Sequence, residues 1–368
     1  MTPAILPPHV RDTSKPLEIS MANTMKSIQK IEPAAGAKVV EAPVPKPSSH
    51  QVLVRVKATS ICGTDIHIYN WDEWSSKRIK PPMIFGHEFG GEVVEVGSQV
   101  DHIKVGDHVS AETHIPCRVC FQCRTGKMHI CRNLKILGVD TNGCFAEYVA
   151  VPEICCIKND DSLPWEIASV QEPFGNATYT VSESGVAGKS VAVLGNGPIG
   201  IFAVAIARVF GATNLISTGK HKLRLDLCRK YGADHVIDVE KQDVREAVMD
   251  ITRGEGVDVV LEMSGSEQAI HDGLAVVKRG GTFTAFGIPS RPIKLELAEE
   301  MIFKGIRVLA INGRKMFETW YEVANLLNSG RIDVRPVITH TLPLEKIDEA
   351  MGMLTSKDKN VGKIVLKP

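Results

Sequence analysis

The chain has 368 residues, 43% of them hydrophobic, with 43 Lys+Arg balanced by 43 Asp+Glu. That length supports two domains with proper cores, and zero formal charge offers neither a basic face for nucleic acid nor an electrostatic tail. No stretch approaches the ~20 consecutive apolar residues that span a bilayer. Nine cysteines, four of them packed between Cys117 and Cys131, argue for metal in a reducing compartment rather than for a disulfide framework. A cytoplasmic location is expected.

Residues 1–24 carry Pro3, Pro7, Pro8 and Pro16 without apolar periodicity, and no h-region of a secretory signal is present. They read as a disordered extension or a strand-adding arm. Short strands follow: Gln51–Lys57 alternates apolar and polar, Gly90–Gly97 repeats the period, and Gly106–Val109 reads as a turn into another strand. The result is an all-β, barrel-like half. On its loops lie Cys62-Gly-Thr-Asp-Ile-His67 and Gly86-His87-Glu88. Thiolate and imidazole suit zinc, and a catalytic zinc keeps one position open, so Cys62 and His87 are candidate donors with Glu88 as acidic neighbour or exchangeable ligand. A buried thiol beside a satisfied core histidine is the competing reading.

Cys117, Cys120, Cys123 and Cys131 are spaced to close a tetrahedral four-thiolate shell from one loop, which leaves no room for substrate and marks a structural zinc site. An iron–sulfur cluster is the minor alternative. Cys144, Cys155, Cys156 and Cys228 are expected in the core. After a strand over Phe145–Val151, a helical run from Gln171 to Val181 begins with Glu172, either a helix-start carboxylate or a remaining zinc ligand.

Lys189–Leu194 reads as a buried strand that runs into Gly195-Asn-Gly197-Pro198-Ile199-Gly200 and an apolar helix to Val209. Between strand and helix, those glycines are a dinucleotide-binding loop. Strands at Asn214–Thr218, His235–Asp238, Val257–Met263, Thr282–Phe286 and Arg307–Ile311 alternate with helices at Lys222–Tyr231, Val244–Thr252 and Glu267–Val277, with Gly280-Gly281 as a turn before Thr282. The pattern is α/β, a doubly wound parallel sheet. The second strand ends on Gly219, where an NAD-preferring fold places an acid for the ribose hydroxyl. Lys220, His221 and Lys222 follow. Loss of the acid removes repulsion toward a 2′-phosphate, and the basic trio can receive it, so NADP is favoured modestly over NAD; a solvated basic helix start is the competing reading.

In order, Cys62-Gly-x-Asp65, Gly86-His87-Glu88, the four-cysteine lobe, Glu172-Pro and the Gly195 loop resemble the medium-chain zinc-dependent dehydrogenase family. Cys62–Trp74, Arg78–Pro82, Glu172–Asn176 and Asn312–Tyr321 are similar to its threonine-oxidising branch, and the likeness covers about Met25 to Pro368. The resemblance implies a GroES-like β-barrel catalytic domain over 25–175 and 313–368, a Rossmann domain over 176–312, and a homotetramer. It implies a catalytic zinc on Cys62, His87 and Glu88 with Glu172 near or in its shell. Thr64 and His67 would relay the substrate proton, His114 would lie near substrate, and Arg224 would reach the cofactor's adenosine end.

The expected reaction is oxidation of a secondary alcohol, L-threonine to 2-amino-3-oxobutanoate, with hydride passing to NAD(P). A diol or polyol is the alternative substrate class, because Gly219 and Tyr179 depart from the branch's pattern. A non-catalytic zinc and nucleotide-binding relative is the alternative of another class, which intact Cys62, Thr64, His67 and His87 oppose. No nucleic-acid or membrane partner is expected.

Overall fold

The computed structural model describes residues 23–357 and 360–368. The expected extension therefore lies outside the described residues except for its last two positions, and Thr24 already opens the strand Thr24–Lys30. None of the nine cysteines is in a disulfide.

Two sheet systems carry the architecture. The catalytic half is a seven-stranded sheet in the order Cys156–Lys158, His108–Ala111, Glu88–Val96, Gln51–Ser60, Lys363–Lys367 and Ile338–Pro343, with Tyr148–Pro152 also pairing to Gln51–Ser60. A three-stranded sheet of Lys38–Pro43, Thr24–Lys30 and Met83–Ile84 flanks it. Alternating Val52, Val54 and Val56 point into a core shared with Phe85, Phe89 and Phe145. The Phe85 and Phe145 rings meet edge to face at 5.1 Å. Register does the work that matters for function: Ser60 pairs with Glu88 across two antiparallel strands. Cys62, two residues past the end of one strand, and His87, one before the start of the other, are thereby brought to the same sheet edge.

The second half is a six-stranded sheet in the order His235–Asp238, Asn214–Gly219, Ser190–Leu194, Val257–Glu262, Val277–Ala285 and Arg307–Ala310, all pairs parallel. Its strands are near-continuous apolar runs because helices cover both faces. Val191 and Val193 face one helical layer, while Ala192 and Leu194 face the other. One strand differs from expectation. Gly280-Gly281 lie inside Val277–Ala285 rather than in a turn before it, with a register shift against Val257–Val259; Gly280 takes φ +75°, and the irregular pair bends the strand without ending it.

Helix Gln171–Ser184 joins the halves. It runs across the expected boundary at 175/176, and Phe174, Ala177 and Val181 pack into the nucleotide-side core. Val323 and Leu326 of helix Glu318–Asn328 join the same core, with Ile332, Val334 and Val337 beyond it. The chain re-enters the catalytic sheet at Ile338. Among the described residues no helix is long and apolar enough to cross a membrane.

Candidate active site

Cys62 is the N-cap of helix Gly63–Asn70. Its backbone N–H donates to Asp65 Oδ2 at 2.8 Å, which fixes the thiol's direction. His87 follows Gly86, whose φ of +87° and contact with the Phe145 ring exclude a side chain there. Donor atoms of Cys62, His87 and Glu88 lie within 4.8 Å of one another. Behind the imidazole, Asp65 Oδ1 stands 3.7 Å from His87 Nδ1, and neither atom has a hydrogen-bond partner. The other ring edge meets the Cys62 thiol.

Burial opposes a charge on His87, yet Asp65, Cys62 and Glu172 outweigh it and lift its pKa to about 10. The pocket therefore calls for a cation. A divalent ion held by thiolate and neutral imidazole meets that demand, with Asp65 orienting the ring as an outer carboxylate. Glu88 is already charge-matched: Lys363 Nζ donates to Oε1 at 2.7 Å and also to Oε2, and Ser60 Oγ donates to Oε2. Glu172 is not among the donors that converge. Its Oε1 accepts from Arg314 Nη1 and from Thr113 Oγ1 at 3.3 Å.

His67 Nδ1 sits 2.5 Å from Asp72 Oδ2, and Asp72 caps the next helix through Ser75 N at 2.9 Å. The ring is more than half exposed, so its other nitrogen can exchange protons with water. Thr64 Oγ1 lies 3.8 Å from Cys62 Sγ, between thiol and imidazole along the helix. His114 is buried beside Gly313, with Nδ1 unpartnered.

In the lobe, Cys120 Sγ lies 3.5 Å from Cys123 Sγ and 3.7 Å from Cys131 Sγ, and Cys117 closes the group. A tetrahedron of about 2.3 Å zinc–sulfur bonds has edges of about 3.8 Å. Backbone N–H groups, led by that of Cys123, pull the Cys120 thiol down to about 6, while burial pushes its neighbour Cys123 up to about 12, so it is the spacing of the four sulfurs that marks the site.

The dinucleotide loop divides its glycines by task. Gly195 takes φ +104°, Gly197 faces open space, and a Cβ on Gly200 would strike Gly195 O at 1.9 Å. Gly197 caps helix Pro198–Val209, with Pro198 at its first position and Ile199 packed on the core. The amide end of that helix is free for a pyrophosphate. At Gly219 a Cβ would meet Asn196 Cγ at 2.1 Å: the Asn196 side chain fills that space and clamps Lys220 through N–H to O at 2.8 Å and O to H–N at 3.3 Å. His221 takes φ +70° and caps helix Lys222–Lys230. Lys220 is exposed, Lys222 pairs with Asp226 at 2.5 Å, and Arg224 Nε donates to Val361 O at 2.8 Å, tying the turn to the catalytic half.

Residues 48–161 match the alcohol dehydrogenase GroES-like domain, and residues 198–329 match the zinc-binding dehydrogenase domain. The L-threonine 3-dehydrogenase of Bacillus subtilis (strain 168) is 48% identical over 344 residues, 94% of this chain and 99% of that protein. The chain belongs to the medium-chain zinc-dependent dehydrogenases. A second relative, the L-threonine 3-dehydrogenase of Pyrococcus horikoshii, is 46% identical over 94% of this chain and 99% of its own. Among solved structures, a zinc-binding dehydrogenase from Sinorhizobium meliloti 1021 bound to NADP superposes with a TM-score of 0.87 at 30% identity, covering 94% of this chain and all of that one. The 2R,3R-butanediol dehydrogenase of Bacillus subtilis gives 0.83 at 27% identity, over 94% and 99%.

Within this dehydrogenase the sequence reading missed the groups that hold the site. Asp65 was visible in the motif but carried no role. Lys363 opens an apolar strand, a weak sign of a buried charge. Arg314 is buried, and its Nε donates to Glu112 Oε2 at 3.0 Å. Trp320 Nε1 donates to the same oxygen at 2.8 Å, and nothing local in the sequence pointed to Glu112.

Proposed function

We propose that this dehydrogenase oxidises L-threonine at its 3-hydroxyl to 2-amino-3-oxobutanoate, with Cys62, His87 and an exchangeable carboxylate holding a catalytic zinc. The observation that carries the reading is the convergence of Cys62, His87 and Glu88 in a chain similar end to end to L-threonine 3-dehydrogenases. Zinc at that site would supply the Lewis acidity that lowers the hydroxyl's pKa. The chain's own residues do the rest. Cys62 and His87 would hold the ion, and Asp65, 3.7 Å behind the imidazole, would orient the ring as an outer carboxylate. Thr64 passes the substrate proton outward, and His67, oriented by Asp72, delivers it to solvent. His114 lines the substrate side. The Gly195–Gly200 loop would seat the dinucleotide that takes the hydride, and Cys117, Cys120, Cys123 and Cys131 would hold a second, structural zinc.

NADP is the favoured cofactor in this reading, supported by Gly219 and by an Asn196 side chain standing where an acid would begin. Self-association, expected as a tetramer, is supported by exposed Ile302, Phe303 and Val308 beside the edge strand Arg307–Ala310. The test is turnover by the zinc-loaded enzyme with L-threonine, 2,3-butanediol and sorbitol, each with NAD and with NADP. Threonine should give the highest kcat/KM. A diol or polyol exceeding it about tenfold would reassign the substrate class, and no turnover with any would favour a binding role.

A further inference from the structure

Behind His67 stand two features that each cost free energy. The first is Lys30, the last residue of strand Thr24–Lys30, which is buried. Its ammonium donates to three backbone carbonyls: Ala34 O at 2.7 Å, Gly36 O at 2.5 Å and Tyr69 O at 2.9 Å. Among the described residues no carboxylate pairs with it, although a buried charge ordinarily has an ionic partner. Burial lowers its pKa to about 8, which leaves it a cation at neutral pH. The second is Trp71, the C-cap of helix Gly63–Asn70, with φ +56° and ψ +48°. Helices commonly place glycine in that left-handed position, because a Cβ is disfavoured there.

The two features touch. Lys30 Nζ lies 5.5 Å from the Trp71 ring centroid and 5.9 Å from that of Tyr69, within the range at which a cation is drawn to an aromatic face. Tyr69 O is one of the carbonyls that a helix end leaves without an intrahelical donor. It takes the ammonium and also the Gly36 N–H, at 2.8 Å. Tyr69 is tied at its other end too, its hydroxyl donating to Asp348 Oδ1 at 2.7 Å. Asp72 follows Trp71 directly. Its N–H reaches back to His67 O at 3.4 Å, and its Oδ2 stands 2.5 Å from His67 Nδ1. The direction of that carboxylate is set by the turn at Trp71.

We infer that Lys30 is a positioning residue of the proton relay: its ammonium pins the end of helix Gly63–Asn70 and the left-handed turn at Trp71, and so aims Asp72 at His67. A cation on the helix's carbonyl end and on the Trp71 face offsets the cost of the turn. Without it Trp71 relaxes out of the left-handed region and carries Asp72 with it. His67 then loses the carboxylate that fixes which ring nitrogen is left to exchange protons.

The inference rests on the reading that His67 carries the substrate proton to solvent, and the experiment separates the two. The measurement is kcat with L-threonine, from neutral to alkaline pH, for the zinc-loaded wild type, His67→Asn, Lys30→Met, Trp71→Leu, and each of the last two combined with His67→Asn. Lys30→Met keeps the unbranched stem and removes the charge and its donors. It should slow turnover about tenfold near neutral pH and progressively less in alkali, since small displacements of a relay group are costly and hydroxide replaces it at high pH. On the His67→Asn background it should cost less than about twofold more, because both changes act on one relay. Trp71→Leu removes the aromatic face but keeps the cost of the turn, and should show the same two signatures; it decides the matter where Lys30→Met does not fold. A Lys30→Met loss that is equal at every pH, or undiminished on the His67→Asn background, makes Lys30 a structural prop and overturns the inference. A wild-type profile from Trp71→Leu overturns it as well. If His67→Asn alone slows turnover equally at every pH, the relay reading itself fails and takes the inference with it.

Discussion

Cofactor choice turns on two positions rather than one. Replacing Gly219 by Asp alone introduces a Cβ at 2.1–2.5 Å from the Asn196 amide, so the amide must swing away. It then gives up both hydrogen bonds to the Lys220 backbone, a loss of about 0.5–1.5 kcal/mol each. The new carboxylate also opposes a 2′-phosphate. Exposed basic partners add only about 0.2–1 kcal/mol apiece, and Lys222 is shared with Asp226, so Lys220 and the His221 turn supply most of what a phosphate would gain. Together with the acid's repulsion, a swing of about 2 kcal/mol is expected, more than tenfold in preference. The assay is kcat/KM for NAD and NADP at one fixed threonine concentration, in wild type, Gly219→Asp and Asn196→Ala/Gly219→Asp. Wild type should favour NADP. The single variant should lose stability, and the double variant, relieved of the close contact but still without the two hydrogen bonds, should recover only part of it and favour NAD at least tenfold more than wild type does. Wild type favouring NAD tenfold or more would refute the reasoning and leave the basic turn as solvated surface.

Cys62→Ser should abolish turnover yet leave a folded chain that binds dinucleotide; wild-type activity at half the zinc content would reject the ligand assignment. Metal analysis should give two zinc ions per chain and no iron, and Cys120→Ser should lose one of them with a lowered Tm, since structural-site binding energy is folding energy. His67→Asn should slow turnover most near neutral pH and less in alkali, where hydroxide takes the proton; an equal loss at every pH would make His67 structural. Burial opposes the Glu112 carboxylate, but Arg314 and His114 outweigh it and hold its pKa down to about 2. Because this folded value is depressed, its stabilisation is fully present above the unfolded value near 4.5. It should be lost as pH falls toward 2, up to about 3 kcal/mol; Glu112→Gln should flatten that part of the stability–pH curve.

Short-range chemistry was legible from the residues alone. The spacing of Cys117, Cys120, Cys123 and Cys131 predetermines that one loop can bring four sulfurs together. The Gly195–Gly200 loop announces itself because a buried strand and an apolar helix flank it within a dozen residues. Cys62 and His87 were recognisable as donors by type, and the six strands of the nucleotide sheet by their apolar runs, since each depends on neighbours in sequence. Only tertiary structure decided what stands behind those donors. Lys363 reaches Glu88 across 275 positions, Arg314 reaches Glu112 across 202, and Asn196 occupies the Gly219 space from 23 residues upstream. A buried charge announces its partner nowhere in the local pattern: a lysine opening a strand or an arginine after a glycine looks the same whether solvated or paired. The pairing follows from strand register and from how the joining helix packs, which long-range burial of apolar faces sets, and so the sequence names the reacting groups while the folded core determines how they are held.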